Sequence, residues 1–140
     1  PVKADRVTPE DYRRQCERAH AEYHQSLTTF IPNPQAVAAL EDTLSYCREQ
    51  GIAASLVLYP EGSDFRSWYS PQTEIRIREL FTSVARRHDA PLIDARTWIS
   101  DDQFFDSHHM LRHGATQFTE RLGVEHVVPR LKQRAVVKRP

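Results

Sequence analysis

The stretch Ser55-Leu56-Val57-Leu58-Tyr59 constrains the fold more than any other. It is nearly all apolar, shows no polar alternation, and lies between Gly51 and Pro60. A strand with one wet face alternates polar and apolar residues. A short unbroken apolar run suits a strand covered on both faces, as in a parallel sheet. Parallel neighbours cannot be joined by a tight turn and need a crossover, usually helical. The sequence supplies one. Ile77, Leu80, Phe81, Val84, Ala85 and His88 recur at helical spacing over 72–88. Ala90-Pro91-Leu92-Ile93-Asp94 then reads as a second short buried strand.

Two helices precede this unit. Thr8-Pro9-Glu10-Asp11 has the form of a helix start, with a capping hydroxyl, proline at the first helical position and early acidic residues. Tyr12, Cys16, Ala19 and Tyr23 follow as one buried stripe. Asn33-Pro34 opens the second helix in the same manner. Val37, Leu40, Leu44 and Cys47 trace its inner face, and Gly51 closes it. A last helix is expected over 113–122, with Ala115, Phe118 and Leu122 inward and Gly123 as its stop; 124–131 adds a short helical turn or strand. The order helix, helix, strand, helix, strand, helix is that of an α/β domain. Two strands make a thin sheet. Either 26–31 supplies a third, or the chain is part of a larger domain. We read 1–131 as a single α/β domain or the C-terminal part of a larger one. We read 132–140, with Lys132, Arg134, Lys138 and Arg139, as a basic flexible tail.

Composition excludes some partners. Nineteen basic residues balance nineteen acidic ones, so no global basic field points to nucleic acid. No apolar run reaches the ~18 residues of a membrane span, and no signal peptide is recognisable. The chain opens at Pro1, which fits a processed or excised piece from which a targeting segment has been lost. Cys16 and Cys47 occupy apolar positions of separate helices and read as small buried hydrophobes, with pairing left open.

In an open parallel sheet, ligands sit beyond the carboxyl ends of the strands. Three polar loops should converge there: 61–66, 94–96 and 106–109. Within the last, Asp106 and His109 are three apart. A carboxylate on the Nδ1–H of an imidazole fixes its tautomer and stabilises the imidazolium formed when the ring acts as a base. Glu61, Ser63 and Arg66 in the first loop are the candidate substrate contacts. Ser63 can alternatively cap its loop or, less favoured, act as a local nucleophile; Arg66 can instead form a surface ion pair. Trp68, Tyr69, Trp98, Phe104 and Phe105 near the same edge either stack on sugar or seal a core. Asp106, His108, His109 and His113 also have metal-ligand chemistry, as do His20 and His24 at their spacing of four. His20 and His24 have no third ligand nearby and helical geometry is not assured for His109 and His113, so no metal or other cofactor is expected.

The run Phe105-Asp106-Ser107-His108-His109-Met110-Leu111-Arg112-His113-Gly114-Ala115, followed by Phe118 and Leu122, resembles the last block of the SGNH (GDSL-like) hydrolases and acyltransferases. That block has the form D-x-x-H-L-x-x-x-G-A with a helix behind it. Met110 stands where leucine is usual, and Gly114-Ala115 fit. The preceding helix, strand, helix, strand order also fits, so the resemblance spans roughly 35–131. It is nearest to the extracytoplasmic or membrane-associated branch that acylates polysaccharide and cell wall. The resemblance implies a three-layer α/β/α fold with part of a flavodoxin-like parallel sheet. It also implies His109 as catalytic base, Asp106 as its orienting carboxylate, and a small acyl ester or a polysaccharide as substrate. The family's nucleophilic serine follows the first strand in a Gly-Asp-Ser-like motif, and its glycine and asparagine oxyanion donors also lie upstream of the matched region. None of these motifs occurs here. The expectation is therefore the C-terminal part of such an esterase or acyltransferase, inactive alone, from an extracytoplasmic or membrane-associated parent. The alternative is a non-catalytic polysaccharide-binding or structural α/β domain.

Overall fold

The computed structural model describes residues 6–137. Helix α1 spans Pro9–Thr28 and α2 Pro34–Glu49; strand β1 is Leu56–Leu58. A five-residue helix α3 (Ser63–Ser67) and a long α4 (Pro71–Arg87) lead to strand β2, Leu92–Asp94. A 3-10 turn at Asp101–Gln103 precedes α5 (Arg112–Leu122), which passes through a π turn at Gly123–Val127 into α6, Val128–Val137. The chain is thus α/β and mostly helical.

Helices α1, α2 and α4 each begin with a capping side chain followed by proline. The Thr8 hydroxyl accepts from the Asp11 amide, Asn33 Oδ1 from the Gln35 and Ala36 amides, and the Ser70 hydroxyl from the Thr73 amide. These bonds satisfy amides that lack a partner in the first helical turn. The stripes expected on α1, α2 and α4 are the faces turned inward, with Ala19, Leu44, Val84 and Ala85 buried along them.

β1 and β2 pair in parallel, Leu56 against Leu92, Val57 against Ile93 and Leu58 against Asp94. Neighbouring residues of β1 serve different clusters, as the two-residue period of a strand requires. Leu56 joins Leu44, Val84, Ala90, Leu40, Ala54 and Leu80. Val57 joins Ala95, Ile99, Phe104 and Phe118, with Tyr12, Trp98, Met110 and Leu122 around them.

Several expectations need correction. Residues 26–28 continue α1 and 29–31 are irregular, so 26–31 is not a third strand. β1 packs against a cluster on each face but is only half-buried rather than fully covered; among the described residues, its only strand neighbour is β2. The segment 63–67 is a helix rather than a loop. Gly123 does not stop α5. It keeps right-handed helical backbone (φ −59°), and one extra residue per turn carries the helix on into α6. The segment from Lys132, read as a tail, has helical backbone as far as Val137, and 138–140 lie outside the described residues. Cys16 and Cys47 are both free thiols.

Candidate active site

The loop between Phe104 and Met110 is closed at its base by an antiparallel bridge between those two residues and by the Phe105 amide donating to the His109 carbonyl at 2.7 Å. Inside it the Asp106 carboxylate is buried and hydrogen-bonded at both oxygens. Oδ1 accepts from the His109 amide at 2.7 Å and the His108 amide at 3.3 Å; Oδ2 lies 2.7 Å from His109 Nδ1. Asp106 therefore both shapes the turn and holds the ring. The His109 side chain is 64 % exposed, so the far edge of its imidazole is open to solvent.

Ser107 pins this loop to the end of β1. It is fully buried, with left-handed backbone at φ 67°. Its carbonyl accepts from the Gly62 amide at 2.6 Å, and its hydroxyl accepts from the Phe65 amide at 2.9 Å. The second bond caps the start of α3 and offsets the ~1–3 kcal/mol that such a backbone conformation costs a residue with a side chain. Gly62 allows the approach, because a Cβ there would stand 2.4 Å from Ser107 Oγ. Gly114 plays a matching role at the other end of the loop. A Cβ at Gly114 would meet the Gln103 carbonyl oxygen at 2.9 Å, so glycine lets α5 lie against that backbone.

The loops after β1 and β2 are fastened together beside this clasp. The Glu61 amide donates to the Arg96 carbonyl at 3.0 Å. The Arg66 guanidinium donates to the carbonyls of Glu61 and Arg96. Arg66 thus binds backbone rather than forming the surface ion pair considered for it. Arg96 pairs with Asp94, whose carboxyl is held below its ordinary value chiefly by the hydrogen bonds from that guanidinium. Burial pushes the Glu61 carboxyl up, although Tyr69 donates to its Oε1 at 2.7 Å and two arginines stand near. Its Oε2 is buried without a partner. Burial likewise raises Tyr69, and the Glu61 charge adds to this.

The three strand-end loops therefore meet at one edge, but the expected site residues divide into two groups. Asp106 and His109 form a dyad. Ser63 is engaged elsewhere: its amide donates to Asp101 Oδ1 at 2.7 Å and its hydroxyl to Oδ2 at 2.6 Å. Among the described residues, no hydrogen bond joins Ser63 to His109. Asp101 is not among the expected site residues, and Tyr12 is expected only as part of a buried stripe; its hydroxyl donates to Asp64 at 3.0 Å and burial raises it well above its usual range. Both partnerships cross long stretches of chain and carry no local signal. Of the aromatics, Phe104 seals the core and Trp98 flanks it under the Arg121 guanidinium. Trp68 borders a cavity of about 390 Å³ with Tyr12, Arg13, Cys16, Glu17, His20 and Asp64.

The histidines also separate. His108 is packed inside, stacked on Phe65 and edge-on to Tyr23, with Nε2 buried and unpartnered. One oxygen of Asp106 and one ring nitrogen from each of His108 and His109 lie within 4.8 Å of one another. His113 is not in that group and lines a different hollow with Arg6 and Arg112. No helix among the described residues is long and apolar enough to cross a membrane. No family model, curated protein or solved structure matches the chain.

Proposed function

We propose that this chain supplies the histidine and carboxylate of a serine-type esterase or O-acyltransferase, as the C-terminal part of an SGNH-like catalytic domain. The observation that carries the reading is the 2.7 Å contact between Asp106 Oδ2 and His109 Nδ1 at the carboxyl ends of two parallel strands. With Nδ1–H directed at the carboxylate, the exposed Nε2 bears the lone pair and faces the side from which a nucleophile can approach. The clasp through Ser107 and Gly62 fixes the dyad to β1. The full sheet of the parent would then be flavodoxin-like, with helices on both faces, and would extend this one beyond the free edge of β1.

In this mechanism a serine hydroxyl attacks the acyl carbonyl carbon and its proton passes to His109 Nε2. Asp106 stabilises the resulting imidazolium. Collapse of the tetrahedral intermediate breaks the ester C–O bond, and His109 returns the proton to the departing alkoxide. Water, or an acceptor hydroxyl, then repeats the sequence on the acyl-enzyme. Backbone donors stabilise the oxyanion. The serine comes from another segment of the parent protein, because the Ser63 hydroxyl is committed to Asp101. The substrate is a small acyl ester or a polysaccharide, and the parent works outside the cytoplasm or at a membrane.

The test uses the full-length protein that contains this region, with a p-nitrophenyl ester as substrate and a fluorophosphonate as serine label. His109→Ala should lower kcat at least ~10³-fold, the scale on which a triad member matters. Unchanged turnover in that variant overturns the proposal. The 140 residues alone should show no turnover that depends on His109. If they do, and Ser63→Ala abolishes it, Ser63 is the nucleophile.

One observation favours a second reading, a polysaccharide-holding domain without turnover. The cavity beside Trp68 joins an aromatic face to Tyr12, Arg13, Glu17 and Asp64, the mixture of stacking and polar groups that sugars need. Glycan binding that survives His109→Ala and is lost in Trp68→Ala would decide for it.

A further inference from the structure

Asp106, His108 and His109 place three metal-type donors on one tight loop. The Asp106 Oδ1 to His108 Nδ1 separation is 3.3 Å. Tetrahedral coordination with bonds of about 2.0–2.1 Å sets neighbouring donors roughly 3.3 Å apart, so this pair already has the spacing of two zinc ligands. The other carboxylate oxygen, Oδ2, stands 2.7 Å from His109 Nδ1, a hydrogen-bond contact shorter than that edge. One carboxylate oxygen and one nitrogen from each ring lie within 4.8 Å of one another, so an ion would require the His109 ring to swing until all three donors share the spacing of zinc ligands. The ring is largely exposed, so the swing meets little packing.

The other two donors are preorganised. The His108 ring is held between Phe65 and Tyr23. The Asp106 carboxylate is fixed by the amides of His108 and His109. Ser107 between them is locked to Gly62 and Phe65. One carboxylate oxygen and two imidazole nitrogens suit a borderline transition-metal ion, not magnesium or calcium, which favour all-oxygen shells. We propose that Asp106, His108 and His109 form an open divalent transition-metal site of the zinc type, with solvent completing the coordination.

An ion at this site takes the Nδ1 lone pair of His109, so the proton on Nδ1 moves to Nε2 and no redox change is involved. That Nε2 can then no longer accept a proton from a nucleophile. Metal binding and general-base action are mutually exclusive, and the ion is an inhibitor of the dyad. The inhibitory consequence rests on the esterase reading; the binding site does not.

Metal-free 140-residue protein titrated with ZnCl₂ at pH 7.5, read by calorimetry, tests the site. One ion per chain should bind. His108→Ala and His109→Ala should each weaken binding at least tenfold, His113→Ala should leave it unchanged, and MgCl₂ should give no heat. His109 is exposed, so its variant keeps the fold, with circular dichroism as the check. Undiminished binding in both His108→Ala and His109→Ala overturns the site. So does binding that is lost instead when His20 and His24 are replaced. Binding is read without turnover, so its failure leaves the esterase proposal standing, and an inactive parent leaves the metal site standing. In an active parent, zinc should inhibit over the concentration range in which it binds, and His108→Ala should relieve the inhibition.

Discussion

Asp106 serves two roles with one side chain: Oδ1 holds the turn through two amides, and Oδ2 holds the His109 ring. Substitutions should separate them. Asp106→Asn can keep an acceptor for the amides, but it turns an NH₂ toward His109 Nδ1 and selects the wrong tautomer. In an active parent it should cost kcat roughly 10⁴-fold while Tm changes little. Asp106→Ala should lower both, since it also leaves the buried loop amides unpaired at ~1–3 kcal/mol. Gly62→Ala probes the clasp. Its Cβ would stand 2.4 Å from Ser107 Oγ and 3.0 Å from the Ser107 backbone. Overpacking of this kind costs ~1–3 kcal/mol, measurable as a lower urea midpoint. Glu61 offers a pH test. Its folded carboxyl is raised above the ordinary 4.5, so folding favours the protonated form. Its contribution to stability is complete below that value and is lost as pH rises through the folded one. Glu61→Gln should remove this decline, seen as a flatter Tm profile above pH 4.5.

Among the elements, α1, α2 and α4 announce themselves locally. Thr8, Asn33 and Ser70 cap amides two or three residues away, and the next residue is proline each time. Replacing one such cap, Asn33→Ala, should cost ~1 kcal/mol in urea unfolding. Helix α3 carries no such signal. Its N-cap residue, Gly62, offers no capping side chain. Instead Asp101 accepts from the Ser63 amide and Ser107 from the Phe65 amide, from 38 and 42 residues away. A helix capped from that distance looks like a polar loop in sequence. Burial alone would raise Asp101, but the Ser63 hydrogen bonds and nearby Arg66 hold it below its ordinary 3.8. Its stabilisation is thus present above that value and lost as pH falls through the lower folded one. Asp101→Asn should flatten the acid limb of an unfolding curve followed by circular dichroism. The continuation of α5 past Gly123 has the opposite origin. Gly123 looks like a stop, but a π turn absorbs one residue and helical backbone continues to Val137.

Over the whole molecule, the sheet is the organising element, small as it is. β1 lies between two apolar clusters and pairs with β2 along one edge. Phe104, almost wholly inaccessible, lies in the cluster that backs the candidate loop. Phe104→Ala should cost about 3–5 kcal/mol by cavity formation. It should also broaden the amide resonances of His108 and His109, because the Phe104–Met110 bridge closes their loop.

What the sequence by itself determined is whatever neighbours in the chain decide. Thr8-Pro9 and Asn33-Pro34 marked the first two helix starts, helical periodicity marked the buried faces of α1, α2 and α4, and two apolar runs marked the strands. The Asp106–His109 pair was also visible, because three residues of turn bring the side chains together without help from elsewhere. Only the tertiary structure decided that Ser63 answers to Asp101, that Arg66 binds carbonyls, and that His108 is packed while His109 is exposed. It also selected His108 rather than His113 as the third donor beside the dyad. Each of these depends on contacts between residues distant in the chain, where burial and hydrogen-bond partners are set by packing rather than by sequence spacing.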